Sequence, residues 1–125
     1  MSAELFIMPL RKGKTNTYKT FLRECLGPRK KDYEDLLSHY GLNSIQIWVS
    51  TLANKDYAIF IHDMNDNAKK LLENWATSNH PFDRWFNTFL NECYEIEDAT
   101  KIPTNISIDF LGELDSRLKS SISGL

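Results

Sequence analysis

The residue types able to bind or transform a small molecule concentrate in one stretch, Ser78-Asn79-His80-Pro81-Phe82-Asp83-Arg84-Trp85-Phe86. It sets an imidazole, a carboxylate and a guanidinium close together among aromatic side chains. Imidazole, with an ordinary pKa near neutrality, suits general-base work at pH 7. His80 and a second histidine, His62, are therefore the candidate bases. Asp83 is placed to orient an imidazole or to serve as base itself. Arg84, and Arg29 far back in the chain, are the candidate contacts for an anionic ligand group. Tyr33, Trp48, Phe60, Trp75 and Trp85 are the candidate apolar walls. The same stretch also reads as a capped, kinked helix whose Asp83 and Arg84 are simply solvated, and both readings stand at this level.

Helical spacing must position these groups. Residues 66–78 read as a helix opened by Asn65-Asp66-Asn67, with Ala68, Leu71, Leu72 and Trp75 as its apolar stripe. Pro81 ends it, lacking the N–H that a helix interior needs, and suits the first position of a new helix. Asn79 or His80 then caps, and Asp83 falls in the first turn, where the helix dipole favours negative charge. Phe82, Trp85, Phe86, Phe89 and Leu90 form the second stripe, to about Tyr94.

A similar break lies earlier. Tyr18, Phe21, Leu22 and Cys25 give one stripe and Tyr33, Leu36, Leu37 and Tyr40 another, with Gly27-Pro28 between them and Gly41 as the stop. Positions 18, 22, 25, 29, 33, 36 and 40 keep helical phase across the break, and Arg29 is the one charge among them. It either needs a partner, because an unpaired buried charge is costly, or reaches out to water. Each helix restart also exposes free N–H groups beside an arginine, an arrangement that suits a carboxylate or phosphate.

Four strands complete the pattern. Leu5 to Leu10 is a short apolar run. Ile45 to Leu52 alternates, Ala53-Asn54-Lys55-Asp56 reads as a turn, and Tyr57 to Met64 returns as the second arm of a hairpin. Trp48, Phe60 and His62 are expected on one face, if the register allows. Ile106 to Leu111 is the last strand, after a loop from Glu95 to Asn105, and a polar tail follows with a short helix expected near Leu114 to Leu118.

Composition narrows the classes. A chain of 125 residues is one domain, assigned to 1–112 with a tail at 113–125. The net charge of −2 gives no electrostatic footprint for nucleic acid. No apolar run approaches the roughly 20 residues of a membrane span, and Met1 to Leu10 lacks the basic start of a secretory signal, so the cytoplasm is the expected compartment. Cys25 and Cys93 fall on apolar stripes and are expected as free thiols. No phosphate-cradling glycine loop, CxxC, HExxH or serine elbow is present, and His39, His62 and His80 are far apart in sequence. Neither a metal nor a cofactor is expected.

The order strand, helix, strand, strand, helix, strand is that of a ferredoxin-like α+β fold, βαββαβ, with two kinked helices on one face of a four-stranded antiparallel sheet. Its first and third strands sit side by side, and its bare face needs a cover that a second copy can supply. At this point the chain resembles the dimeric α/β-barrel superfamily that includes antibiotic-biosynthesis monooxygenase-like domains. More narrowly it resembles an uncharacterised bacterial family within that group. The likeness rests on Gly27-Pro28-Arg29 with Tyr33 and Leu37, on Gly41, on Trp48, and on Ser78-x-His80-Pro81-Phe82-Asp83-x-Trp85-Phe86, over roughly residues 4–112. It implies a homodimer with a pocket between helices and sheet. Because the group includes haem degraders, it also makes His62 and His80 candidate haem ligands. It transfers no catalytic set. The expected function is a domain binding a small aromatic or acidic metabolite, with or without catalysis. A ligand-sensing module and a purely structural homodimer are the alternatives.

Overall fold

The computed structural model describes residues 2–96 and 116–118, and within them the chain is an α+β protein. Strand β1 (Ser2–Pro9) leads to helices α1 (Thr15–Leu26) and α2 (Lys30–His39). Strands β2 (Leu42–Leu52) and β3 (Lys55–Met64) follow, then α3 (Ala68–Leu72) and α4 (Pro81–Cys93). The sheet has the order β1-β3-β2, and β3 is antiparallel to both neighbours. The first and third strands are thus adjacent, as the element order predicts. The predicted strand Ile106–Leu111 lies outside the described residues. Ser116–Leu118 forms a short 3₁₀ turn inside the segment where a short helix is expected.

Register decides which side chains meet. Glu4, Phe6 and Met8 of β1 stand opposite His62, Phe60 and Ala58 of β3, which in turn stand opposite Ile45, Ile47 and Val49 of β2. This face carries the helices and the core. The other face carries Leu5, Ile7, Trp48, Ile59 and Ile61, with Ile7 and Trp48 half exposed.

Trp48 therefore does not share a face with Phe60 and His62. The hairpin turns in two residues, Ala53 and Asn54, both at positive φ, and pairs Leu52 with Lys55. An even-numbered loop sets even positions of β2 against odd positions of β3, so Trp48 sits beside Ile59. A positive φ at both turn residues matches the twist of the strands.

The break at Gly27-Pro28 is real. The Gly27 N–H caps onto the Glu24 carbonyl and the Arg29 N–H bonds the same oxygen. Helix α2 then restarts at Lys30, with Tyr33, Leu36 and Tyr40 still turned inward. Gly41 closes α2 at φ 73°, where a Cβ would meet Asn65 Oδ1 at 2.7 Å. Only glycine combines that conformation with so close an approach.

The predicted helix over 66–78 is much shorter. After Leu72 the chain continues in i→i+3 turns, such as Trp75 N–H to the Leu72 carbonyl. These tight turns set Trp75 edge-on against Tyr40 and Phe86. Pro81 opens α4 as expected. His80 is the N-cap, its Nδ1 accepting from the Phe82 N–H at 3.2 Å, and Asp83 lies in the first turn. Among the described residues, no helix is long and apolar enough to cross a membrane.

Candidate functional site

Between the inner sheet face and the helices lies a cavity of about 160 Å³. Its floor is Phe6, Phe60, His62, Ile45 and Ile47, and its roof is Tyr18, Phe21, Tyr33, Leu36, Tyr40, Trp75 and Phe86. The break between α1 and α2 lets both helices present inward side chains over the same sheet. The turns after Leu72 bring in Trp75. An apolar cavity of about 150 Å³ holds one benzene-sized molecule, so this space fits a single ring.

One end is polar. Glu4 is 6% exposed and faces His62 across the β1–β3 register. Lys69, on the exposed side of α3, approaches Glu4 Oε1 at 3.6 Å. Glu4 Oε2 and His62 Nδ1 are buried and have no hydrogen-bond partner among the described residues. The His62 ring packs against Phe6 and Phe60, with centroids at 4.7 and 5.2 Å. Burial pushes its pKa from the ordinary 6.5 down to about 4, so it is neutral at pH 7. A neutral imidazole has one donor and one acceptor nitrogen.

Three tyrosine hydroxyls of the lining are hydrogen-bonded. The Tyr18 and Tyr94 hydroxyls hydrogen-bond each other at 2.7 Å, and burial raises both pKa values. The Tyr40 hydroxyl donates to Asp83 Oδ2, and burial together with that bond raises its pKa to about 12. Tyr33 stacks on Phe86, and burial raises its pKa also.

The candidates named from sequence thus divide. His62, Tyr33, Phe60 and Trp75 line the cavity. His80 and Asp83 do not; they organise the start of α4, where Asp83 Oδ2 also accepts from the Ser78 hydroxyl at 2.6 Å. His80 Nδ1 is 3.9 Å from Asp83 Oδ1, and since it accepts the Phe82 N–H it carries no proton to share. Arg29 lies outside the lining, paired with Glu24 at 3.3 Å and laid over the Trp85 ring at 4.1 Å. Arg84 is exposed on α4, and Trp85 packs between Arg29, Phe82 and Phe21. Trp48 is on the opposite sheet face.

No cationic mouth is formed by the two arginines, because the helix break turns Arg29 onto Trp85 rather than into the cavity. Glu4 is the lining residue that strand assignment from Leu5 onward leaves out. The alternation Glu4, Phe6, Met8, Leu10 carries the signal. Cys25 and Cys93 are buried free thiols, with burial raising their pKa values to about 12 and about 11, and neither borders the cavity. No group of three or more metal-ligating side chains occurs among the described residues. The chain matches no family model, no curated protein and no solved structure.

Proposed function

We propose that the chain is a small-molecule-binding domain whose ligand enters between the helices and the inner sheet face. The observation that carries this reading is the aromatic cavity of about 160 Å³ ending in a buried carboxylate oxygen and a buried imidazole nitrogen that have no partners among the described residues. A core that served packing alone gains by filling such a space and removing such groups. The ligand is a single-ring or similarly sized apolar molecule. If a reaction occurs, His62 and Glu4 are the groups placed to move a proton, and His80 and Asp83 hold the helix start.

The fold is read as ferredoxin-like. The chain leaving α4 forms an antiparallel bridge from Tyr94 to Leu10, and the Glu95 N–H bonds the Pro9 carbonyl. That course leads toward the free edge of β1, the edge that carries the fourth strand in a ferredoxin-like order. The outer face, with Ile7 55% and Trp48 50% exposed, is read as the homodimer contact. Full burial of each such side chain is worth about 1.5–3 kcal/mol.

Protein-observed NMR with toluene tests the binding reading. The Trp75 indole signal shifts with added toluene and the Trp48 signal does not. No shift at millimolar toluene would remove the binding role. Light scattering tests the assembly: the native chain has twice the monomer mass and Ile7→Lys has the monomer mass. A monomeric native chain contradicts the dimer.

A further inference from the structure

The cavity's two unpartnered atoms lie at the same end, and they are chemically selective. As a carboxylate, Glu4 accepts hydrogen bonds and donates none. Its Oε1 meets Lys69 at 3.6 Å, a lysine that is itself 68% exposed, while its Oε2 has no partner among the described residues. His62 stands across from Glu4 in the strand register, yet His62 Nδ1 is without a partner too, so these two atoms do not satisfy each other. The rings of Phe6 and Phe60 pack against His62 at this end, and an apolar surround strengthens a hydrogen bond made there.

The geometry points to a selecting role for the Glu4–His62 end: it takes a single-ring molecule bearing an O–H or N–H donor, and it turns away carboxylates. This rests on the small-molecule reading above and specifies its ligand class. A donor on the ring satisfies Glu4 Oε2. A hydroxyl that gives its one proton to Glu4 Oε2 can at the same time accept a hydrogen bond from the imidazole when Nδ1 carries the proton. A ligand carboxylate would meet the Glu4 carboxylate in an apolar enclosure. Lys69 is the one lysine or arginine of the lining among the described residues, while Arg29 and Arg84 lie outside it. A bare hydrocarbon ring fits the volume but leaves both polar atoms unpaired.

The test compares phenol, aniline, toluene and benzoate, titrated one at a time into the native protein and followed by NMR. Phenol or aniline is expected to bind about tenfold more tightly than toluene, the scale of one hydrogen bond to a charged group. Benzoate is expected to bind more weakly than toluene. In Glu4→Met the preference for the donor-bearing rings falls to within about twofold, again on that one-bond scale. Glu4→Gln, which keeps the side-chain shape, is the second variant should the first fail to fold, and it too narrows the preference. Toluene binding as tightly as phenol and aniline, or benzoate binding more tightly than toluene, would overturn the selecting role while leaving the cavity a binding site. Binding by none of the four would overturn the small-molecule reading itself.

Discussion

Two carboxylates are buried to the same degree, Asp83 and Glu4 at 6% each, and the protein treats them oppositely. Asp83 receives the Tyr40 hydroxyl at 2.7 Å and the Ser78 hydroxyl at 2.6 Å. It joins the end of α2 to the start of α4, and its desolvation is repaid by bonds of its own. Among the described residues, Glu4 receives one long contact from an exposed lysine and leaves an oxygen unpaired beside a histidine nitrogen in the same condition. A buried polar group that is partnered holds a fold together; one left open raises the free energy of the fold until something binds it. The histidines repeat the contrast. His80 is 66% exposed at its side chain and caps a helix, whereas His62 keeps a buried Nδ1 without a partner among the described residues.

The contrast breaks first at Asp83. Asp83→Ala strands one buried and one part-buried hydroxyl donor, and a loss of about 3 kcal/mol in unfolding free energy is expected from charge-assisted bonds. Urea denaturation measures it, and a loss below about 1 kcal/mol would mean that the cluster is not structural.

The pH dependence reports on His62. The His62 pKa is lowered in the folded state, so between about 6.5 and 4 the unfolded chain binds more protons. Stability is fully present above 6.5 and falls with pH through that window, by about 3 kcal/mol at its lower end. Asp56, held low by the Thr15 and Thr51 hydroxyls, contributes a loss that begins only nearer its ordinary 3.8. Replacing His62 with Phe flattens the upper window. Denaturation midpoints at pH 7, 5.5 and 4.5, compared between the native chain and His62→Phe, measure it.

A smaller effect belongs to the cap. His80→Ala removes the acceptor for the Phe82 N–H and costs about 1 kcal/mol. Ligand affinity is unchanged, because His80 does not border the cavity. A loss of affinity would place it in the site after all.

The sequence was informative where covalent geometry acts locally. Gly27-Pro28 broke the first helix and Pro81 opened α4, and a cap at Asn79 or His80 with Asp83 in the first turn followed from Pro81 alone. It was less informative where the outcome depends on parity and distance. Whether Trp48 faces the helices turns on a loop of two residues, not three. The stretch after Leu72 has good helical spacing, but its tight turns are set by the docking of Trp75 against Tyr40 and Phe86. Arg29 was correctly singled out as the odd charge on an inward stripe, yet a nearby Glu24 and the Trp85 ring, neither visible as partners in the spacing, take it out of the cavity. Glu4 was hidden because a charge at the start of an apolar strand reads as an end rather than as part of the inner face.

The sharpest test of the whole account is the stability of Glu4→Met. If Glu4 is kept for binding, replacing it with an apolar side chain of similar length relieves an unpaired buried oxygen. The unfolding free energy then rises by about 1 kcal/mol while the affinity for phenol falls. A variant destabilised by 1 kcal/mol or more, with phenol affinity unchanged, would show Glu4 to be a structural group like Asp83 and would contradict the account.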